Sequence, residues 1–289
     1  MSSPSDVPPQ FMRPERHLFL SPHYDDVPLS AGATVRLLAD CGLRPETLVV
    51  FGSEPDRVHP LSAFAEAMHE QWGLTANEVI ASRQAEEAAA AAVLGAQTRV
   101  LPFRDAIYRG DYYLSNDDLF GSPATEEASL PAAIVASLDL AASPDVTTRI
   151  YAPLGVGKHV DHQIVHLAAQ ELARSGWDVW FYEDIPYALK PGALDARLAE
   201  IRANAQLEPV ARIAAQSTWD QKIDAILRYP SQLETVFLQY VGVGTTRQEI
   251  SAALSAYATR AGDGVMVERF WRLNEALPHE GVDERRPTR

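Results

Sequence analysis

The stretch PHYDD at residues 22–26 concentrates side chains that metal or acid–base chemistry requires. His23 is followed by two adjacent carboxylates, Asp25 and Asp26, shortly after the apolar run at 17–20. Adjacent carboxylates repel each other, and their burial at a strand end calls for a nearby positive charge. A lysine, a helix N-terminus or a metal ion would each supply it, and the two aspartates also fit the simpler role of capping the next helix.

A second cluster, HVDH at residues 159–162, follows another short apolar run. We favour His162 as a metal ligand because it lies at the predicted start of a helix, whereas His166, one turn later on the same face, is the competing choice. Histidine pairs at this spacing are also common by chance. Together with His23 and Asp26, His162 offers two imidazoles and one carboxylate, which is the donor set of a catalytic zinc site with an open position.

Any transition metal here must bind nitrogen and oxygen ligands, because the chain contains one cysteine, Cys41. That count excludes an internal disulfide framework and a cysteine-rich zinc site. Zinc is the default ion for such donors, although iron, cobalt or another divalent ion also suits them. Asp25, beside the ligand Asp26, is then placed to remove a proton from metal-bound water. The remaining histidines have no companion motif and are assigned to the structure or the surface: His17, His59, His69 and His279.

The elements that position these clusters alternate between short apolar strands and longer helical patterns. Strands are predicted at 17–21, 47–51, 98–101, 149–153 and 179–182, with two further ones near 208–214 and 265–271. Helices are predicted at 27–40, over 62–94 in two pieces broken near Gly73, and at 129–142, 160–174, 192–203, 217–228 and 246–260. This alternation predicts an α/β fold with a mostly parallel sheet covered by helices on both faces, plus C-terminal additions.

Polar segments follow three of the predicted strands, and the carboxyl ends of parallel strands form the ligand crevice of an open α/β sheet. They are SPHYDD, GSEPD and GVGKHVDH. No GxGxxG follows the first strand, where Pro22 and His23 occupy the turn, so a nucleotide-binding protein is disfavoured. The long irregular segment at 102–128 is expected to be functional or disordered.

Composition limits the partners and the location of the protein. A net charge of −14 over 289 residues argues against nucleic-acid binding, which requires a basic face. The first 16 residues have no apolar core of a secretory signal, and no apolar run is long enough to span a membrane, so a cytoplasmic location is expected. We expect one domain over 17–275, flanked by flexible segments at 1–16 and 276–289. The oligomeric state stays open.

The two clusters resemble a known family. PHYDD (22–26) resembles the PHxDD motif of the PIG-L/LmbE-like zinc-dependent de-N-acetylases, and GKHVDH (157–162) resembles their GxHxDH motif. Position 24 departs from many relatives, which carry Pro or a small residue where this chain has Tyr. Further similarity covers RQAE at 83–86 with LG at 94–95, Asp105, FYEDIPYA at 181–188, YPSQ at 229–232 and ERFWR at 268–272.

The resemblance implies a Rossmann-like fold and a zinc-dependent hydrolase that removes acetyl groups from N-acetylated amino sugars such as N-acetylglucosamine conjugates. By position it implies the following roles: zinc ligands His23, Asp26 and His162; general base Asp25; stabiliser of the oxyanion or proton donor to the leaving amine, His159; and a carboxylate that orients a ligand histidine, Asp161. Arg83 and Asp105 match positions near the substrate in relatives. Glu86 is expected to pair with Arg83 or to be a surface charge.

The substrate is left open by the sequence. Glu183 follows the fifth predicted strand and is expected to face the crevice, where it and Asp105 could accept hydrogen bonds from sugar hydroxyls. Five tyrosines are candidate platforms for a sugar ring, although ordinary packing explains each of them as well: Tyr108, Tyr112, Tyr113, Tyr182 and Tyr187. The alternatives are an amide hydrolase acting on a thiol conjugate or another non-sugar amide, and a non-catalytic sugar- or metal-binding relative.

Overall fold

The computed structural model describes residues 14–55, 60–72, 76–214 and 216–274. These ranges contain the expected 17–275 region except for short gaps. The two expected flexible ends lie outside the described residues, apart from positions 14–16. Among the described helices, none is long and apolar enough to cross a membrane.

A seven-stranded sheet organises the chain, in the spatial order β3-β2-β1-β4-β5-β7-β6. Its first five strands in this order are parallel, and β7 and β6 add antiparallel pairs at one edge. The strands are β1 Arg16–Ser21, β2 Glu46–Val49, β3 Gln97–Val100, β4 Thr148–Pro153, β5 Asp178–Tyr182, β6 Gln206–Ala214 and β7 Val267–Asn274. The predicted α/β class with a mostly parallel sheet and C-terminal additions is therefore confirmed.

Helices connect the strands. They are α1 Asp26–Asp40, α2 Ala63–Trp72, α3 Ala76–Leu94, α4 Asn116–Leu119, α5 Leu130–Ala136, α6 Val160–Arg174, α7 Ala193–Arg202, α8 Trp219–Ile226, α9 Pro230–Leu233 and α10 Arg247–Ala261. A π-helical turn, Glu234–Gln239, continues α9, and 3₁₀ turns lie at Ala106–Tyr108, Thr125–Glu127, Tyr187–Leu189 and Gln216–Thr218.

Burial on both faces of the sheet explains the near-continuous apolar strands. Along β1, Leu18 and Leu20 pack into one hydrophobic cluster and Phe19 into another, as expected from the two-residue alternation of a strand. Helix α1 is buried over most of its length, including its first turn. The core therefore fixes the ends of β1 and β4 rigidly.

Two segments differ from the sequence predictions. The predicted helix at 129–142 ends at Ala136, and the chain soon reverses through Asp139, whose φ of 53° is left-handed. The C-terminal pattern predicted no helix at 230–239, yet α9 and the π-helical turn occupy it. Its packing against distant parts of the chain, described below, explains why local periodicity did not reveal it.

The direction of the chain across the sheet reverses between β1 and β4. From β1 the chain moves outward through β2 to β3, then returns to the other side of β1 as β4. The crevice outside the carboxyl ends of these two strands is the topological switch point, where α/β folds bind ligands. PHYDD follows β1 and HVDH follows β4, so the fold brings both clusters to this one crevice.

Candidate active site

The turn after β1 is closed by its own side chains. Asp26, the first residue of α1, accepts a hydrogen bond from the His23 backbone N–H at 2.7 Å, and Ser21 Oγ donates to His23 O at 2.6 Å. The same Asp26 oxygen, Oδ2, lies 3.5 Å from His23 Nδ1. Asp25 makes no capping bond to the helix, so the simple capping role does not apply to it.

The turn after β4 places the second cluster. Gly157 has a φ of 86°, and a Cβ there would lie 2.4 Å from the Tyr187 ring, so this position requires glycine. His159 is the N-cap of α6, and its Nδ1 accepts the Asp161 backbone N–H at 3.2 Å. The remaining ring nitrogen, Nε2, therefore carries the hydrogen and can donate it to a ligand.

His162 points its Nε2 into the space between the two turns. Its Nδ1 lies 2.7 Å from Asp184 Oδ1, so Nδ1 carries a hydrogen and donates it. Nε2 lies 3.3 Å from Asp26 Oδ1 but has no hydrogen-bond partner, although the residue is buried. Burial lowers the pKa of His162, but Asp26 and Asp184 outweigh that effect and raise it to about 9. The site is thus arranged for a positive charge beside Nε2.

His23 is held in the same way by a different carboxylate. Its Nε2 lies 2.9 Å from Oδ2 of Asp161, a side chain with no exposed surface. This leaves Nδ1 of His23, near Asp26, as the nitrogen available to a metal. Orientation of each ring by a carboxylate on the opposite nitrogen is the usual support of a histidine ligand.

These residues fit a bound divalent metal. Ligand atoms of His23, Asp26 and His162 lie within 4.8 Å of one another, and two nitrogens plus one oxygen suit zinc, iron or cobalt. The buried, unpaired Nε2 of His162 is the observation that such an ion would explain. A second grouping, His23 with His159 and Asp161, fits less well, since the Asp161 oxygens are already occupied by protein donors.

Asp25 lies beside this cluster without belonging to its ligand set. Arg83 Nη2 donates to Asp25 Oδ1 at 3.3 Å, and both side chains are buried. Burial raises the pKa of Asp25 above its usual value, while Arg83 opposes that rise. His159 has the opposite shift, because burial and the neighbouring His23 lower its pKa to about 3. His159 is therefore a neutral hydrogen-bond donor near pH 7.

A pocket of about 480 Å³ opens onto these groups. Its floor includes His23, Asp25, Asp26 and His159. The predicted substrate residues Arg83 and Asp105 both line it, and Asp105 Oδ2 lies 3.7 Å from His23 Nε2. The remaining wall is aromatic and amide-rich and includes Asn116, Phe120, Tyr187, Gln232, Gln239 and Tyr240.

Glu183 does not face this pocket, which corrects its expected placement. Its carboxylate accepts hydrogen bonds from Tyr257 Oη at 2.6 Å, Arg269 Nε at 2.6 Å and Trp271 Nε1 at 2.8 Å. Glu183 and Asp184 lie just beyond the end of β5 and point to different sides of the chain, so Asp184 points to the site and Glu183 does not. Asp184 binds His162 and also accepts the backbone N–H groups of Gly155 and Val156.

Most candidate tyrosines and alternative histidines have other roles. Tyr187 lines the pocket, whereas Tyr108 pairs with His69, Tyr113 with Glu127 and Tyr182 with Leu20 O, and Tyr112 is exposed. His166 donates Nδ1–H to Pro153 O and its Nε2 lies beside Gln170. His17 lies beside Tyr151 Oη and Pro14 O. His59 and His279 lie outside the described residues.

Several residues of the site were only partly identified from the sequence. Asp184 was expected, together with Glu183, to face the crevice, but its bond to His162 was not predicted, and the YPSQ motif at 229–232 gave the only signal for Gln232. Glu86, expected to pair with Arg83 or to be exposed, instead accepts Ser231 N–H at 2.9 Å and Ser231 Oγ–H at 2.6 Å. Phe120 falls in the 102–128 segment that was expected to be functional or disordered, but nothing in the sequence singled it out.

The chain is similar to proteins named as deacetylases. The family model PIG-L, described as GlcNAc-PI de-N-acetylase, matches residues 18–173. A 2'-N-acetylparomamine deacetylase of Niallia circulans is 35% identical over 188 residues, which are 59% of this chain and 66% of that protein. A protein of the same name from Streptomyces fradiae is 31% identical over 232 residues, covering 77% of this chain and 75% of the relative.

Solved structures agree in fold. A triple mutant of a deacetylase from the teicoplanin biosynthetic pathway has a TM-score of 0.67 at 25% identity, covering 90% of this chain and 98% of the other. An A40926 pseudoaglycone deacetylase has a TM-score of 0.66 at 25% identity, covering 91% and 98%. With both signature motifs brought to one crevice and a family match over more than half of its length, this chain belongs to the PIG-L (GlcNAc-PI de-N-acetylase) family.

Proposed function

We propose that this protein is a metal-dependent N-deacetylase that hydrolyses the acetamide of an N-acetylated amino sugar and releases acetate. The observation that carries the proposal is the buried, unpaired Nε2 of His162 beside Asp26, with Asp25 next to it in an open pocket. Two relatives named as 2'-N-acetylparomamine deacetylases support the reaction and the substrate class.

His23, Asp26 and His162 would hold the metal, with zinc as the default ion and iron or cobalt as alternatives. The ion supplies a Lewis acid that polarises an amide carbonyl and acidifies water. Asp184 and Asp161 keep the two imidazole rings in orientation from their far sides. Arg83 holds Asp25 in the pocket next to the ligands without placing it among them.

Asp25 is the group that moves the proton. It takes a proton from the attacking water as the water oxygen bonds to the acetyl carbon, and it returns that proton to the nitrogen as the C–N bond breaks. A raised pKa suits both steps, because the carboxyl group must hold the proton between them. The products are acetate and the free amino sugar.

His159 stabilises the negative charge that develops on the acetyl oxygen. Its Nδ1 is occupied by the Asp161 N–H, so Nε2–H is the group that can donate into the pocket. With a pKa of about 3 the ring is neutral at pH 7, so it acts as a hydrogen-bond donor and the amine receives its proton from Asp25.

Acetate release tests the proposal directly. Metal-stripped protein is loaded with Zn²⁺, Fe²⁺ or Co²⁺ and incubated with N-acetylglucosamine, 2'-N-acetylparomamine, an N-acetylated amino acid and a thiol conjugate that carries an acetamide. We expect acetate from the amino sugars in the presence of a metal and none after chelation. Turnover confined to the thiol conjugate or the amino acid would favour the non-sugar alternative. Metal or sugar binding without any turnover would favour a binding protein.

A further inference from the structure

Arg109 is a largely buried cation, with 10% of its side chain exposed, and none of these steps uses it. It lies in the segment between β3 and α5, and its guanidinium joins two carboxylates. Nη1 lies 2.6 Å from Asp161 Oδ1, while Nε and Nη2 lie 2.5 and 3.2 Å from the two oxygens of Glu127. Nη1 also donates to Arg104 O at 2.8 Å. A single side chain thus connects both ends of this segment to the carboxylate that orients His23.

Asp161 depends on these contacts because it has no exposed surface. Its Oδ1 pairs with Arg109, and its Oδ2 accepts from His23 Nε2 at 2.9 Å and from the Ala106 N–H at 3.1 Å. A buried carboxylate is strongly destabilised when its cationic partner is removed. Arg109 supplies the positive charge, and its planar guanidinium also fixes the direction of the carboxylate.

Arg109 also holds the substrate side of the pocket. The segment 104–127 carries Asp105 and Phe120, which line the pocket. Glu127, at the end of the segment, is buried, receives Arg109 in a forked pair and accepts Tyr113 Oη–H at 2.6 Å. The segment has little regular secondary structure of its own, so these bonds set its position relative to the metal ligands.

We propose that Arg109 is a positioning residue that acts on two parts of the site at once. Through Asp161 it sets the ring of the metal ligand His23, and through Glu127 it sets the wall that contacts the substrate. This inference rests on the proposed function, since it assigns Arg109 to the metal site and the substrate wall described there. It predicts that the two effects can be separated by changing one carboxylate contact and not the other.

Four variants make the test: Arg109→Met, Arg109→Lys, Glu127→Gln and the matched control Arg149→Met. Arg149 is likewise buried, with its Nε 2.7 Å from Asp178 Oδ2 and its Cζ 3.7 Å from the centre of the Trp180 ring. It lies at the amino end of β4, at the opposite end of the sheet from the site. The control therefore removes an arginine of similar burial from an ion pair far from the site.

The primary readout is Zn²⁺ affinity, measured on metal-stripped protein by competition with a chromogenic chelator. The absorption spectrum of the Co²⁺-loaded protein reports the ligand geometry, and kcat and KM for acetate release report the substrate wall. We expect Arg109→Met to weaken Zn²⁺ binding about 10-fold or more, which is the range seen for groups that orient metal ligands. The same variant should change the Co²⁺ spectrum and raise KM. Arg109→Lys should show a smaller loss, since it keeps the charge and loses the fork.

Glu127→Gln should raise KM while Zn²⁺ affinity stays within about twofold of the wild type. The control Arg149→Met should lower the melting temperature without changing Zn²⁺ affinity or KM. Unchanged Zn²⁺ affinity in Arg109→Met, or a loss matched by Arg149→Met, would overturn the inference. If Arg109→Met does not fold, Arg109→Lys decides by the same criterion. Failure of the wild type to bind Zn²⁺, Fe²⁺ and Co²⁺ alike would instead remove the proposed function, so the two failures are distinguishable.

Discussion

The part of the chain matched by the family, residues 18–173, and the part that follows it contribute to the site in different ways. The first supplies His23, Asp26 and His162 from turns at strand ends, where bonds between near neighbours such as His23 N–H to Asp26 fix the geometry. The second supplies supporting and lining groups through contacts across the chain. Ser231, for example, bonds to Glu86 over a separation of 145 residues.

This difference indicates that part of the pocket wall is encoded separately from the reacting groups. The reacting groups come from two compact motifs, whereas Gln232, Gln239 and Tyr240 enter the pocket on a segment beyond the family match. Each of the following experiments tests whether the two regions can be changed independently.

The largest effect is expected at His162. His162→Ala removes the nitrogen whose unpaired position defines the metal site, so we expect less than one tenth of the wild-type metal content and a loss of turnover of roughly a thousandfold or more. Elemental analysis and acetate release measure both. The matched variant His166→Gln, one turn along the same helix, should keep the metal. Normal metal content in His162→Ala would show that the ligand set is wrong.

Asp25→Asn is expected to have the next largest effect. It removes the proton acceptor but leaves the three ligands in place, so metal content should be retained while kcat falls about 10²- to 10⁴-fold. The pH profile of kcat should also lose its acidic limb, which reports ionisation of this carboxyl group. A variant with near-normal kcat would assign the proton transfer to another residue.

Asp184→Asn tests the contribution of the later region to the chemistry. Asp184 orients His162 and binds two backbone N–H groups of the β4–α6 turn, so its replacement should weaken Zn²⁺ binding about 10- to 100-fold. The adjacent Glu183→Gln is a close control, because Glu183 bonds to Tyr257, Arg269 and Trp271 instead. Equal loss of affinity in both variants would mean that the effect is general destabilisation.

Tyr240→Ala tests the substrate wall. The Tyr240 ring packs against Phe120 and Tyr187, with ring centres 5.8 and 4.8 Å apart. Its removal should raise KM for an N-acetylated amino sugar about 5- to 30-fold, corresponding to a contact of roughly 1–2 kcal/mol, with kcat nearly unchanged. Tyr112→Ala, at an exposed tyrosine outside the pocket, should change neither constant. A fall in kcat with constant KM would show that Tyr240 contributes to the reaction step and not to substrate binding.

The sequence predicted the first region better than the second for a physical reason. The four parallel strands β1 to β4 and their helices follow from local apolar patterns, and the polar turns at strand ends follow from the chain order of such a sheet. The side of the chain on which Glu183 and Asp184 point was not predictable in this way, since β5 ends at Tyr182 and alternation is lost at the turn. The geometry at His23, Asp25, Asp26 and His162 was expected from motifs, and their roles stay proposals.

The helical segment 230–239 shows what local reasoning cannot provide. Its position is set by Tyr229 and Ser231, which bond to Glu87 and Glu86 on α3. From the sequence alone, a carboxylate on a helix is expected to be an exposed charge. The tertiary structure shows instead that Glu86 and Glu87 both bind the start of the 230–239 segment. Gln232 and Tyr240 therefore reach the pocket through contacts that no spacing in the sequence indicates.

The smallest effect on catalysis is expected at Glu87, where the consequence is for stability. Burial raises the pKa of Glu87 to about 7 from the usual 4.5. The geometry agrees, because Tyr229 Oη lies 2.6 Å from Glu87 Oε2 and 2.9 Å from Tyr24 O. The single phenol hydrogen can serve only one of these oxygens, and a protonated Glu87 donates the second hydrogen bond.

Since the folded protein holds this proton more tightly than the unfolded chain, the associated stability is complete below about pH 4.5 and is lost as pH rises toward 7. Glu87→Gln cannot ionise, so between pH 5 and 8 the free energy of unfolding of the wild type should fall by roughly 2–3 kcal/mol more than that of the variant. Urea unfolding of metal-stripped proteins at both pH values measures the difference, and stripping removes the pH dependence of metal binding. Parallel pH profiles would show that Glu87 is already ionised in the folded protein. The expected result is a steeper pH profile of stability for the wild type and an unchanged kcat for Glu87→Gln. That result would show that the Glu87–Tyr229 contact, which supports the 230–239 segment, can be altered without affecting the chemistry at the strand ends.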